Sequence, residues 1–242
     1  MDNIEKLAEI IKNSERIVFF GGAGVSTESG IPDFRSTDGL YHQKWAYPPE
    51  TILSHTFFVK HTDEFYRFYH EKMDCTKAKP NYAHIYLAKL EKEGKLSAVV
   101  TQNIDGLHQA AGSKNVYELH GSVHRNYCTK CRKFFDGEYI FSSEGVPKCD
   151  ACGGLIKPDV VLYEESLDGN TINGAVKAIS NADTLIIGGT SLTVYPANGF
   201  VNYFNGKNLV IINKSPTQMD KKADLMIAQN IGEVFSEVDR LK

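Results

Sequence analysis

The chain has 242 residues, a formal net charge of -3, 42% hydrophobic and 24% charged residues. That length fits one large domain or a core with a smaller module, and the mild acidity gives no pull toward nucleic acid or an anionic membrane. No apolar run approaches the ~18 residues a membrane-crossing helix needs. The acidic, amphipathic start MDNIEKLAEIIKNSER does not read as a secretory leader. Four of the five cysteines form two C-x-x-C pairs, which favours metal in a reducing compartment over a disulfide framework, so the expected location is the cytoplasm.

Residues 2–14 read as a helix with Ile4, Leu7, Ala8, Ile10 and Ile11 on one face. Residues 16–20 (RIVFF) read as a buried strand that runs into Gly21-Gly22-Ala23-Gly24. Glycines just after a strand let the backbone approach a ligand with no Cβ in the way, and their N–H groups can cradle a pyrophosphate. The fit to G-x-G-x-x-G is imperfect, because Thr27 stands where a third Gly or Ala belongs. An ordinary strand-to-helix turn would look the same. Pro32-Asp33-Phe34-Arg35 follows, with a guanidinium suited to phosphate.

Residues 37–59 mix turn signals with aromatics (Tyr41, Trp45, Tyr47, Phe57, Phe58) and read as a flap, functional or simply packed. Residues 61–73 and 80–94 read as helices, the second opening at Pro80 and stopping at Gly94. His84 in that helix reads as a packing contact and not a ligand. A second buried strand, 97–101, ends in Gln102-Asn103-Ile104-Asp105-Gly106-Leu107-His108. Amides and an acid at a strand end can bind a polar ligand, while Asp105 also fits a helix cap. A third strand, 116–119, delivers His120-Gly121, and a histidine there is either structural or an acid/base group that titrates near neutrality.

Cys128, Cys131, Cys149 and Cys152 have the spacing of a four-cysteine zinc site. Four thiolates fill tetrahedral Zn²⁺ and leave no open position, so the metal is expected to be structural. Residues 124–133 are locally basic, as a solvated face is, and nucleic acid is not expected as a partner. Past the cysteines the strand-helix alternation returns. Strands are expected at 159–163, 184–187, 208–212 and 225–228, and helices at 171–181, near 196–205 and at 232–241. The fold class is therefore α/β: a Rossmann-like, mostly parallel sheet with helices on both faces. Residues 1–120 and 158–242 form the main body, with a helical flap insertion at about 37–80 and a zinc-ribbon module at 121–157.

The run GAGVSTESGIPDFR (22–35), TQNIDGLH (101–108), His120-Gly121, the four cysteines and GTSL (189–192), in that order, resembles the sirtuin family of NAD-dependent protein deacylases, short bacterial members above all. The resemblance covers nearly the whole chain. It implies NAD across the strand ends, with Ala23, Gly24 and Arg35 at the pyrophosphate, Ser191, Asn213 and Ile231 at the adenosine end, and Gly22, Thr27, Gly189 and Thr190 as further NAD contacts. Gln102, Asn103, Ile104 and Asp105 take the ribose and nicotinamide. His120 is the implied general base, Asn103 its catalytic companion, and Phe34 a water shield. The implied reaction turns acetyl-lysine proteins and NAD into lysine, nicotinamide and O-acetyl-ADP-ribose. The peptide adds as a strand between 161–165 and 192–195, touching Val161, Tyr163 and Val194.

Where the family strand usually ends aromatic-Gly-Glu, this chain has Tyr163-Glu164-Glu165. Family members that prefer acidic acyl groups carry Tyr-x-x-Arg along the acyl pocket. Here the matching residues are Tyr66 and Tyr69, so a buried carboxylate finds no cation and desuccinylation is expected to be weak. The rival readings are a mono-ADP-ribosyltransferase on the same NAD site, a hydride-transfer dehydrogenase, and a non-catalytic zinc-ribbon binder. A monomer is expected.

Overall fold

The computed structural model describes residues 1–33 and 45–241. The expectations placed on Phe34, Arg35 and the first part of the 37–59 stretch lie outside the described residues. In chain order the strands are β1 (Ile17–Gly21), β2 (Leu96–Thr101), β3 (Val116–Glu118), β4 (Gly121–Cys128), β5 (Phe134–Phe135), β6 (Ile156–Val160), β7 (Thr184–Gly188), β8 (Asn208–Ile212) and β9 (Leu225–Ile227). The α-helices are α1 (Asn3–Asn13), α2 (Pro49–Ile52), α3 (His55–Lys60), α4 (Thr62–Lys72), α5 (Tyr82–Lys92), α6 (Leu107–Ala110), α7 (Gly137–Ser142), α8 (Gly169–Asn181) and α9 (Ile231–Arg240).

Six strands form one sheet in the order β3-β2-β1-β7-β8-β9, and every pairing in it is parallel. The order reverses between β1 and β7, which opens a crevice at their carboxyl ends. Register decides what lines that crevice. Gly21 is level with Thr101 and Gly188, and Gly188 with Ile212. The residues that follow them therefore leave the sheet along one edge: Gly22, Gln102, Gly189 and Asn213.

Alternation along β1 sends Ile17 and Phe19 to one face and Val18 and Phe20 to the other. The first pair packs with Leu7 and Ile11 of α1, Tyr86 and Leu90 of α5, and Phe235 of α9. The second packs with Ala175 and Ile179 of α8 and with Phe200. Both faces are covered, as the uninterrupted apolar runs demand. Three boundaries differ from expectation. Helix α5 starts at Tyr82 and not at Pro80: Asn81 caps it, its side chain accepting from Ala83 N at 2.9 Å. The segment near 196–205 is a 3₁₀ helix, 197–203, since Asn198 and Gly199 are poor α formers. The strand expected at 159–163 is instead β6, 156–160.

β6 does not join the main sheet. It pairs antiparallel with β4, which pairs with β5, in a separate three-stranded sheet. Its burial alternates, Ile156, Pro158 and Val160 in and Lys157 and Asp159 less so, as in an antiparallel strand with one wet face. This small sheet shares a core with α2, α3 and α4. Ile52, Phe57, Phe65, Tyr66, Phe68 and Tyr69 pack against Val123, Phe135, Ile140 and Ile156.

Candidate active site

The carboxyl edge of the main sheet opens into a cavity of about 990 Å³, at the upper end of ligand-pocket sizes. The glycine loop forms its floor, though not as the sequence suggested. Gly22 N donates to Gly188 O at 3.2 Å and Gly24 N to Gly189 O at 2.8 Å, so neither amide is left to cradle an anion. These glycines serve fit. A Cβ on Gly24 would stand 2.7 Å from Gly189 Cα, and one on Gly22 2.8 Å from Thr190 Cβ. Gly189 itself has φ +59. After the loop come two 3₁₀ turns, 23–25 and 27–29, in place of a long helix. Thr27 Oγ1 donates back to Gly24 O at 3.0 Å, which closes the turn where a third glycine was expected.

Beside the loop lies a buried polar chain. Asn103 Nδ2 donates to Ser26 Oγ at 3.1 Å, and Ser26 Oγ donates to Asp105 Oδ2 at 2.6 Å. The other carboxylate oxygen of Asp105 accepts from Leu107 N at 2.9 Å, so Asp105 both tethers the start of α6 and faces the cavity. Ser26 joins them, and no spacing in the sequence signals its role. His84 and His108 sit behind this chain, fully or almost fully buried, with ring centroids 4.7 Å apart. Burial lowers His84 to about 4 and His108 to about 3, so both are neutral near pH 7.

Gln102 Nε2 donates to Thr190 Oγ1 at 3.0 Å, tying the second strand end to the Gly189-Thr190 turn. The backbone carbonyl of Gln102 lies 3.0 Å from His120 Nδ1. A carbonyl only accepts, so Nδ1 carries the proton and Nε2 is left as the acceptor. Burial pushes the imidazole below its ordinary range, against the pull of that carbonyl. A neutral His120 with a basic Nε2 is the form a general base needs.

Across the cavity, residues 161–165 hang from β6. Val161 N donates to His120 O, Tyr163 N to Leu53 O and Leu162 N to Glu165 Oε2, each at 2.9–3.0 Å. Glu164 holds φ 76, the left-handed region that glycine adopts freely. Its carboxylate accepts from Thr56 N at 2.9 Å, which anchors the strained turn to α3. Val194 and the largely exposed Tyr195 face this segment from the loop after β7. At the far end, Asn213 and Ile231 reach the wall together with Lys214 and Asn230. Asn213 Nδ2 donates to Ser215 O at 2.6 Å.

The structure thus brings around one cavity the glycine loop, Gln102 to Asp105, His120, Gly189 to Ser191, Asn213, Ile231, Val161, Tyr163 and Val194. Tyr66 and Tyr69 are the exceptions. Both are wholly buried in the aromatic core, Tyr66 donating to Ile156 O, and neither lines the cavity. They are core residues because α4 turns its Phe65, Tyr66, Phe68 and Tyr69 side into the ribbon. The end of α4 and the segment after it reach the wall in their place, with Lys72, Cys75 and Lys77. Burial raises the Cys75 thiol to about 12, so it stays protonated.

The four expected cysteines bring their sulfurs within 4.8 Å of one another. Cys128 Sγ is 3.5 Å from Cys152 Sγ, and Cys131 Sγ is 3.6 Å from Cys149 Sγ. A tetrahedron with Zn–S near 2.3 Å has edges of about 3.8 Å, so the cluster fits zinc. Lys130 N and Cys131 N each donate to Cys128 Sγ at 3.4 Å, as a thiolate ligand asks. No described helix is long and apolar enough to cross a membrane.

The Sir2 family model matches residues 22–196, which spans the glycine loop, His120 and all four cysteines. An NAD-dependent protein deacetylase of Clostridium perfringens is 65% identical over 240 residues, covering 98% of both chains. Its counterpart in Clostridium acetobutylicum is 63% identical over 241 residues, again 98% of both. A solved Sir2 structure with a deacetylated p53 peptide and 3'-O-acetyl-ADP-ribose superposes at TM-score 0.91 and 39% identity, over 99% of this chain and 98% of that one. A Sir2 structure with p53 peptide and NAD⁺ gives 0.88 and 39%, over 100% and 98%. With the motifs, the strand-edge cavity, the thiolate cluster and these full-length matches in agreement, the chain belongs to the Sir2 family.

Proposed function

We infer that this protein is an NAD-dependent protein deacetylase that takes acetyl-lysine proteins or peptides as substrate. The observation that carries the reading is His120. It stands on the cavity wall with Nδ1 committed to a backbone carbonyl and Nε2 left basic. The names of the full-length relatives support it.

The fit of a dinucleotide rests on the cavity of about 990 Å³ along the strand ends, lined by the glycine loop, Gln102 to Asp105, Gly189 to Ser191 and Asn213. Ala23, Thr27 and Arg35 hold the pyrophosphate over Gly24, whose own amide is spent on Gly189 O; Gly189, Thr190, Ser191, Asn213 and Ile231 hold the adenosine end. Bound NAD supplies the ribose carbon that takes the acyl oxygen and the nicotinamide that leaves. Asn103 and Asp105, locked through Ser26, orient ribose and nicotinamide without drifting. His120 Nε2 accepts the proton of a ribose hydroxyl, which lets that oxygen attack the acyl carbon. Phe34 keeps water out. Val161, Tyr163 and Val194 receive the peptide. The cysteines hold one structural zinc. We place the protein in the cytoplasm as a monomer. The body is 1–120 and 158–242, with 121–157 as an inserted module.

Mass spectrometry of an acetyl-lysine peptide incubated with NAD tests this. Loss of acetyl with an equal amount of O-acetyl-ADP-ribose is expected. Consumption of NAD with the peptide still acetylated, and ADP-ribose attached to protein, would overturn it in favour of a mono-ADP-ribosyltransferase. A succinyl-lysine peptide is expected to be a poor substrate. Because Tyr69 lies in the core, turnover equal to the acetyl peptide would point to Lys72 and Lys77 on the wall.

A further inference from the structure

We propose that Glu28 is a positioning residue for the adenosine half of the dinucleotide. This rests on the reading of the strand edge given above.

Helix α9 begins at Ile231 behind Asn230, a residue type that usually caps its own helix. Here it does not. Asn230 makes no side-chain cap bond, and its amide donates to Glu233 Oε1 at 2.9 Å. The cap comes from the other end of the chain. Gly232 N donates to Glu28 Oε2 at 2.8 Å across 204 residues. The carboxylate lies so close that a Cβ on Gly232 would stand 2.8 Å from Glu28 Oε1. A carboxylate at this place meets both an orphan N–H and the positive end of the helix.

The bond joins two parts of the cavity wall. Glu28 is the middle of the 27–29 turn, whose Thr27 and Ser29 line the cavity while Glu28 does not. Gly232 directly follows Asn230 and Ile231, which line it too. Ile231 is 3% exposed and rests over the end of β7, its Cδ1 3.0 Å from the place of a Cβ on Gly188. With no local cap, loss of Glu28 frees the first turn of α9 to fray. Ile231 and Asn230 then leave their places beside the glycine loop. Glu28 touches no ligand; it fixes the distance between the phosphate turn and the adenosine residues.

The test is steady-state deacetylation by Glu28→Ala, Glu28→Gln and Gly232→Ala, with ADP-ribose affinity measured by calorimetry. Glu28→Ala raises KM for NAD by about three- to tenfold, the span of a lost cap, and ADP-ribose binding weakens in parallel. kcat and KM for the peptide stay within about twofold, since the lost binding is uniform. Glu28→Gln, whose amide oxygen still accepts the Gly232 N–H, recovers most of the loss. Gly232→Ala reproduces Glu28→Ala. A lower melting temperature with unchanged KM for NAD would overturn the proposal and leave Glu28 a plain helix cap. So would a fall in kcat as large as the rise in KM, or a Gln variant no better than Ala. Wild-type protein that binds no ADP-ribose would overturn the strand-edge reading itself, which keeps the two failures apart.

Discussion

On the sheet side of the cavity, the site groups emerge in one row because Gly21, Thr101, Gly188 and Ile212 are level in a parallel register. Their side chains and turns are then locked by short polar bonds, Asn103 to Ser26 to Asp105 and Gln102 to Thr190. On the ribbon side, residues 161–165 hang from β6, whose place depends on an aromatic core and four thiolates. One wall is fixed by backbone geometry and, on the function proposed above, carries the chemistry. The other is fixed by packing and the cysteine cluster and, on the same proposal, receives the peptide. The two should fail separately, and the following experiments probe that.

Metal removal has the largest expected effect. Structural zinc sites carry of order 10 kcal/mol of binding free energy that is also folding free energy. Chelation should disorder the ribbon and abolish binding of the acetyl peptide. Calorimetry should still find ADP-ribose at the sheet edge, weakened by about threefold at most. Equal loss of both ligands would show that the walls are one unit.

Acid should strike the sheet side. His84 and His108 have folded values of about 4 and about 3, below the ordinary 6.5. The unfolded chain therefore binds more protons as the pH drops. Their contribution is complete above pH 6.5 and is lost as pH falls toward about 4, with a slope of up to about 1.4 kcal/mol per unit for each ring. The two ring nitrogens of His108 have no partner among the described residues. His108→Phe should remove about half of the drop in urea midpoint between pH 7 and pH 5. An undiminished drop would move the acid sensitivity elsewhere.

Two adjacent tyrosines sharpen the ribbon side. Tyr66→Phe strands the Ile156 carbonyl in the core and should cost about 1–2 kcal/mol. The Tyr69 hydroxyl is buried with no partner among the described residues, so Tyr69→Phe should be neutral or stabilising. Neither should alter acyl preference, and a changed acyl ranking in Tyr69→Phe would put that ring back on the cavity wall. The smallest effect is at Glu164. Glycine relieves its φ of 76 but loses the bond to Thr56 N, whereas alanine loses the bond and keeps the strain. Glu164→Gly should melt within about 3 °C of wild type, with Glu164→Ala below it. The reverse order would mean the turn is unstrained.

The same contrast explains what the sequence revealed. Parallel strands buried on both faces write themselves as runs such as Ile17–Phe20 and Leu185–Ile187, and the polar residues after them mark the site edge. The cysteine spacing announced the metal cluster as plainly. What stayed hidden depends on partners far along the chain. The amides of Gly22 and Gly24 looked available because their acceptors, Gly188 and Gly189, lie more than 160 residues away. Tyr66 and Tyr69 fit a pocket pattern, but spacing alone does not say which side of α4 the ribbon covers. The strand expected at 159–163 follows the apolar run Val160-Val161-Leu162, whereas β6 is written as an alternation, Ile156-Lys157-Pro158-Asp159-Val160.

The account stands most directly on His120→Ala assayed for deacetylation and, in parallel, for ADP-ribose binding. Removing a general base should lower kcat by about 10²- to 10⁴-fold while ADP-ribose affinity stays within about threefold. In the wild type, the acid limb of the pH–rate profile should lie below 6.5, since burial lowers the His120 imidazole. Activity that survives the substitution, with the same acid limb, would contradict the assignment of His120 as the base.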